Sequence, residues 1–126
     1  MPSLSERSSL RWWWFAGLLL VATAVRVWHL WSWDVWTDEL HTLAIARTGE
    51  YSFGPAYRAS PINFVLTGLV LRFSGGGLYA ARGLSAAIGV LTVALLFMVG
   101  RRWFGERAGF LAAGILALSM WHIYWS

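Results

Sequence analysis

Three long runs of apolar residues dominate the chain, and charged positions are rare within them. The runs cover residues 12–31, 83–100 and 108–125. A helix of about 20 residues, rising about 1.5 Å per residue, extends about 30 Å and crosses one bilayer core. The pattern therefore predicts an all-α integral membrane protein with three transmembrane helices. Arg26 lies near the end of the first run, so we expect its guanidinium to extend toward the outer headgroups.

Residues 32–80 lie between the first two runs. Their pattern predicts a loop outside the bilayer core that contains two short interfacial helices. In the first helix Thr37 fits an N-cap, and Asp38 and Glu39 occupy the first turn, where the macrodipole favours negative charge. Apolar residues follow at helical spacing until Gly49, which ends this helix.

The second short helix is predicted to begin with Ser60 as N-cap and Pro61 as its first residue, and to end before the glycines at 75–77. It is too short to span, so we expect it to lie in the membrane interface with Asn63 and Thr67 facing polar surroundings. Its apolar stripe consists of Ile62, Val65, Leu66, Leu69, Val70 and Phe73.

The orientation follows from the charges between the second and third runs. Residues 101–107 contain three arginines and one glutamate, a net charge of +2, and a short loop of this kind stays in the cytoplasm. We therefore expect a multi-pass protein of the bacterial plasma membrane, with a cytoplasmic N-terminus and residues 32–80 outside. The tryptophans fit the two interfaces, with Trp12, Trp13, Trp14 and Trp103 inside and Trp28, Trp31, Trp33, Trp36, Trp121 and Trp125 outside.

A cleaved signal peptide is the alternative interpretation of the first run. Arg11 would form its charged start, residues 12–21 its apolar centre, and the Ala-Thr-Ala sequence at 22–24 its cleavage site. Three consecutive tryptophans at 12–14 fit an interfacial belt better than an apolar centre, so a span is the preferred interpretation.

Composition and charge narrow the class of protein further. The chain is 58% hydrophobic and 13% charged, against roughly 25% charged for typical globular proteins. It has no cysteine, which excludes disulfides and thiolate metal sites. Its pI is near 10.4, but its arginines are scattered and do not form the clustered face that nucleic acid requires. Nucleic acid is therefore not an expected partner.

The candidate chemistry lies in the first short helix. His41 and Thr42 follow Asp38 by three and four residues and therefore share its helical face. An ionised carboxylate on that face could accept a proton from an alcohol. A carboxylate and an imidazole could also hold a divalent cation, although two ligands do not make a site. The structural alternative is that Asp38 and Glu39 only stabilise the first turn of the helix.

Several motifs resemble the N-terminal part of the membrane glycosyltransferases that use polyprenyl-phosphate sugars. These are the protein O-mannosyltransferase and aminoarabinose-transferase relatives, which have the C-type membrane fold. The motifs occur in the order of that family and cover most of the chain from Val25 onward. They are Arg26-Val27-Trp28-His29-Leu30, Trp36-Thr37-Asp38-Glu39, Pro61, Arg82-Gly83-Leu84-Ser85-Ala86, Gly100-Arg101-Arg102-Trp103-Phe104-Gly105 and Ile123-Tyr124-Trp125-Ser126.

The resemblance implies an enzyme that transfers a sugar from a polyprenyl-phosphate donor to an acceptor hydroxyl on the extracytoplasmic face. It implies that Asp38 is the catalytic carboxylate and that Glu39 supports it. We expect His41, Arg58 and Arg82 to bind substrate. The donor is a membrane lipid, so no nucleotide-binding loop is expected. The acceptor could be a protein, a lipid or a glycan, and a divalent cation could assist.

The chain departs from the family in two places. Relatives that modify lipid A have a glutamate shortly before the proline of the interfacial helix, where this chain has Arg58, Ala59 and Ser60. Family members also continue with many more spans, so we expect residues 1–126 to be an N-terminal fragment of a longer enzyme, inactive alone. The alternative is a small non-enzymatic membrane protein, such as a lipid-binding or assembly subunit, in which the acids only cap a helix.

Overall fold

A computed structural model describes residues 4–32, 34–35, 37–49, 61–75 and 77–124. Within these ranges the chain is helical and contains no strand, which confirms the predicted all-α class. The helices are α1 (Leu4–Ser32), α2 (Thr37–Thr48), α3 (Pro61–Ser74), α4 (Leu78–Phe104), α5 (Glu106–Leu118) and α6 (Met120–Tyr124). The chain divides into two compact units, the first formed by Met1–His29 with Ala86–Ser126 and the second by Leu30–Ser85.

The core of the first unit is built from small and aromatic side chains. Its buried members come from α1, α4 and α5, and they are Ala22, Val93, Phe97, Ala113 and Ala117. Phe15 stacks on Phe97 with ring centroids 4.5 Å apart, and Phe110 meets the same ring edge-on at 6.5 Å. Because alanine leaves room for close helix approach, these rings fill the remaining space between the three helices.

The turn between α4 and α5 depends on glycine. Gly105 has a φ of 88°, a conformation that side chains with a Cβ rarely adopt. A Cβ on Gly100 would lie 2.8 Å from the Cα of Gly109, and a Cβ on Gly109 would lie 2.5 Å from the backbone nitrogen of Arg101. The two helices therefore approach each other within backbone contact just beyond this turn.

The helix lengths support one membrane span instead of the three that were predicted. Among the described residues, only α4 is both long and apolar enough to cross a bilayer. In α1 the apolar part is the shorter segment Trp12–Trp28. The predicted run at 108–125 is not one continuous helix, because α5 ends at Leu118 and α6 begins at Met120.

Ser119 explains the interruption of the third apolar run. Its backbone is extended, and its N–H donates to the carbonyl of Leu116 at 3.3 Å. Its hydroxyl oxygen accepts from the N–H of His122 at 3.5 Å, as at a helix N-cap. A serine hydroxyl can replace a backbone carbonyl as the acceptor of a helical N–H and so interrupt the helix. A count of apolar residues does not reveal this effect.

In the second unit, the bounds of α2 and α3 agree with the sequence pattern. Helix α2 begins at Thr37 and ends before Gly49, which has a φ of 72° and donates its N–H to Ile45. Helix α3 begins at Pro61 and ends before Gly75, which has a φ of 59°. Both helices end at a glycine in the left-handed region, as helices commonly do.

One part of the prediction for the faces of α3 is wrong, namely the position of Thr67. Thr67 was expected to face polar surroundings, but it is only 2% exposed, and Phe64 beside it is also buried. Gly68 lies so close to α2 that an added Cβ would be 2.9 Å from the carbonyl oxygen of Ala46. Helix α3 is apolar on two faces, and the face with the small residues packs against α2 because it permits closer contact. Most of the predicted apolar stripe is therefore exposed, and its last residue, Phe73, is 85% exposed.

Candidate functional site

The candidate site is organised around an ion pair between the first turn of α2 and the second turn of α4. Arg82 donates from Nε to Oε1 of Glu39 at 2.7 Å and from Nη2 to Oε2 at 2.8 Å. Both side chains are partly shielded from solvent. A bidentate pair of this geometry is among the stronger charge-assisted contacts in proteins, and it fixes both partners in orientation.

Arg82 also binds two backbone carbonyls of the second unit. Its Nη1 donates to the carbonyl oxygen of Leu30 at 2.9 Å, and its Nη2 donates to that of Asp34 at 3.2 Å. Leu30 lies in the last turn of α1, and Asp34 lies in the connection to α2. One guanidinium therefore ties together the end of α1, the connection that follows it and the acidic turn of α2.

The ion pair determines what Glu39 can do chemically. Both carboxylate oxygens accept short hydrogen bonds from a cation, so the carboxylate is a poor acceptor for a further proton. Its geometry is that of a residue that holds the turn in place. Of the two adjacent acids, Asp38 is therefore the better candidate for a general base. Its backbone lies in the first turn of α2, and its side chain is not among the described parts of the structure.

The structure brings two of the predicted site residues into contact and leaves the others apart or undescribed. Glu39 and Arg82 form the ion pair, whereas the sequence had placed Arg82 among the substrate-binding residues. His41 is half-buried, in the second turn of α2. Arg58 lies outside the described residues. The substrate-binding roles of these side chains stay predictions. In the structure, Arg82 also holds Glu39 through the ion pair.

No metal centre is formed by the described residues. Nowhere in this part of the chain do three histidine or acidic side chains come together as metal ligands would. The divalent cation considered from the sequence therefore stays a prediction.

A second polar contact, in the first unit, was not expected from the sequence. Arg26 is only 1% exposed; its Nη1 donates to the carbonyl oxygen of Ala22 at 2.9 Å, and its Nη2 lies 3.0 Å from Nδ1 of His122. Because a guanidinium can only donate, Nδ1 of His122 is the acceptor in this contact.

The expectation that Arg26 extends to the outer headgroups is wrong. Side chains on a helix point toward its N-terminus, whereas the outer interface was expected beyond the C-terminal end of α1. Arg26 instead turns back by one helical turn onto Ala22, and His122 lies within its reach. The spacing of 96 residues between the partners gives no local sequence pattern that could have indicated the contact.

Comparison with known proteins gives no identification, since no family model, no curated protein and no solved structure matches the chain. The resemblance to polyprenyl-phosphate glycosyltransferases therefore depends on the sequence motifs alone.

Proposed function

We propose that this chain is part of a membrane glycosyltransferase that uses a polyprenyl-phosphate sugar, with its reaction on the extracytoplasmic face. The observation that supports this function best is the Glu39–Arg82 pair, because it holds the acidic turn of α2 against the first turns of the most apolar long helix. A lipid-linked donor presents its phosphate and sugar at the membrane surface, where such a turn would meet them.

In the proposed reaction Asp38 is the general base. Its carboxylate takes the proton of the acceptor hydroxyl while the acceptor oxygen forms a bond to the anomeric carbon of the sugar. The bond from that carbon to the phosphate oxygen breaks, and polyprenyl phosphate leaves with the electron pair. Glu39 and Arg82 position the turn, and His41 and Arg58 bind the substrate.

The membrane setting is supported by the surfaces of the helices. Only 28% of the apolar window in α4 is buried, whereas the core helix of a soluble protein is mostly buried. Large apolar side chains are exposed along α4 and α5, among them Leu91, Leu95, Met98, Leu111 and Ile115. Water disfavours such a surface and lipid does not. We propose a multi-pass arrangement in a bacterial plasma membrane, in which α1 and the α5–α6 segment cross beside α4, the N-terminus is cytoplasmic and α3 lies in the interface.

The Asp38→Asn variant tests the catalytic assignment. It should be made in the polypeptide that the complete reading frame encodes and assayed with a polyprenyl-phosphate sugar. Loss of a general base lowers the rate by about 10²–10⁴, whereas loss of a first-turn charge costs only about 0.3–1 kcal/mol of helix stability. We therefore expect a severe loss of turnover at a nearly normal level of protein.

The matched control is Asp34→Asn, which removes an exposed carboxylate four residues earlier. The contact of Asp34 with Arg82 uses its backbone carbonyl, so the control keeps that hydrogen bond. Near-normal turnover by Asp38→Asn, or an equal loss in the control, would remove Asp38 from the catalytic role.

A non-enzymatic membrane subunit is the second candidate, and the same ion pair favours it. If Glu39 and Arg82 only hold the fold, the acidic turn needs no substrate. The DNA downstream of the codon for Ser126 distinguishes the two. An in-frame continuation with further apolar spans supports the enzyme, and a stop codon followed by an unrelated frame supports the subunit.

A further inference from the structure

One end of the first unit combines three arginines, two of them exposed, with exposed indoles. We call it the basic end, and it consists of Trp12, Trp13, Arg101, Arg102, Trp103 and Arg107. The turn at Gly105 brings the last residues of α4 and the first residues of α5 together. Trp12 of α1 belongs to the same end, because the guanidinium carbon of Arg101 lies 5.7 Å from the centre of its indole.

Helix stability explains only part of this arrangement. Arg101 and Arg102 lie in the last turn of α4, where a cation is favoured by the macrodipole. Arg107 lies in the first turn of α5, where the same dipole disfavours it. Glu106 is the only acidic residue between 101 and 107, so the short segment keeps a net charge of +2. Arg102 and Arg107 are both exposed, which leaves their guanidinium groups accessible to an anion.

The indoles indicate what kind of anion fits. Trp13 and Trp103 are among the most exposed large side chains of the unit. The exposed apolar surface of α4, which includes Leu91, Leu95 and Met98, leads directly to this end of the helix. Indoles between an apolar surface and a set of cations are typical of the headgroup level of a bilayer. A phospholipid with a negatively charged headgroup supplies both the phosphate for the arginines and the acyl chains for the apolar surface.

We propose that the basic end binds anionic phospholipid headgroups selectively, with Arg102 and Arg107 as the phosphate ligands and Arg101 held by Trp12. This inference depends on the chain lying in a membrane and does not depend on the proposed glycosyltransferase activity.

Tryptophan fluorescence in vesicles can test the proposal. The full chain is reconstituted in phosphatidylcholine with increasing fractions of phosphatidylglycerol, and one of the two lipids is brominated so that bound lipid quenches the indoles. For the wild type we expect brominated phosphatidylglycerol to quench more than brominated phosphatidylcholine at the same fraction. Each exposed arginine near a membrane surface contributes about fivefold to anionic lipid binding. The two contributions multiply, so the double variant Arg102→Gln/Arg107→Gln should lose about 25-fold in lipid selectivity.

The matched control is Arg47→Gln/Arg72→Gln. It removes two exposed arginines from the last turns of α2 and α3 and changes the net charge of the chain by the same amount. The control should keep the wild-type selectivity. Raising the salt from about 0.1 M to about 1 M, which shortens the Debye length from about 10 Å to about 3 Å, should reduce the selectivity of the wild type.

Two results would overturn the proposal. Equal quenching of the wild type by both lipids would show that the basic end does not select anionic lipid, whatever the variants do. An equal loss of selectivity in both double variants would show that the net charge of the chain determines the lipid selectivity and that the basic end has no special role.

Discussion

At the scale of single residues, Arg82 makes four hydrogen bonds to three segments of the second unit. It binds both oxygens of Glu39 and the carbonyls of Leu30 and Asp34. Lysine could not replace it, because an ammonium is a point charge and lacks the planar fork that meets a carboxylate on both oxygens. The side chain therefore acts as a junction for three segments that are separated in sequence.

The stability of this junction can be measured with a double-mutant cycle. We expect Arg82→Lys and Glu39→Gln each to destabilise the protein by about 1–3 kcal/mol, the usual range for losing a hydrogen bond to a charged group. Because both changes break the same contact, the double variant should cost clearly less than the sum of the two. Thermal unfolding of the detergent-solubilised protein measures this. Arg72→Lys, an exposed arginine of α3, is the control and should leave the Tm nearly unchanged.

Additive effects in that cycle would contradict a structural pair. If Arg82 also binds the donor, Arg82→Lys should raise the KM for the polyprenyl-phosphate sugar, whereas Glu39→Gln should change stability with little effect on that KM. The comparison separates a positioning role from a substrate-binding role in the same residue.

At the scale of elements, the sequence predicted the bounds of α2 and α3 but did not predict which face of α3 packs against α2. The bounds of these helices are set locally by Gly49, Pro61 and Gly75, because each of these residues acts through its own backbone conformation. The packed face of α3 could not be predicted in this way, since the helix has apolar residues on two sides and only the position of α2 decides between them. The small size of Gly68, close to the backbone of Ala46, was the one available indication.

The same distinction applies to the polar contacts. First-turn acids in α2 were predictable from helix electrostatics, but the partner of Glu39 comes 43 residues later. Two of the acceptors of Arg82 are backbone carbonyls. Every residue has a backbone carbonyl, so the sequence does not indicate which carbonyls will accept. Long-range contacts of this type appear only when the elements are packed.

The exposed face of α3 leads to a prediction about its surroundings. We expect Leu69 and Phe73 to face the apolar side of the membrane interface, while Asn63 and Arg72 lie at its polar edge. The chain has no cysteine, so single cysteines at these four positions can be compared directly. In membrane vesicles a water-soluble maleimide should label positions 63 and 72 much faster than positions 69 and 73. Similar rates at all four positions would place the stripe in water and would remove the interfacial helix from the proposal.

At the scale of the whole molecule, the number of membrane spans decides which side of the membrane the acidic turn faces. Helix α4 qualifies by itself. The α5–α6 segment is interrupted at Ser119, yet residues 106–124 at about 1.5 Å each extend about 28 Å, close to the thickness of a bilayer core.

Several backbone groups at the interruption have hydrogen-bond partners, which favours its placement in a membrane interior. The N–H of Ser119 donates to Leu116, the N–H of Ile123 donates to the carbonyl of Ser119, and the serine hydroxyl accepts from His122. Helix breaks in membranes are tolerated when side chains and local turns provide such partners. The imidazole of His122 is in turn paired with the buried Arg26. Ser119, His122 and Ile123 therefore have hydrogen-bond partners within the first unit.

We accordingly expect reporter fusions after Gly54, Gly105 and Ser126 to lie outside, inside and outside the cytoplasm, respectively. This pattern requires α4 and the α5–α6 segment to cross in opposite directions. We expect the arginines at 101, 102 and 107 to keep their turn on the cytoplasmic side. A paired periplasmic and cytoplasmic reporter at each site provides the internal control, since each fusion should be active with only one of them. If Gly105 and Ser126 were both cytoplasmic, α4 would be the last crossing, and the α5–α6 segment would return to the same side. If the fusion after Gly54 were cytoplasmic, the acidic turn would face the wrong side for an extracytoplasmic transfer. That result would contradict the proposed glycosyltransferase function.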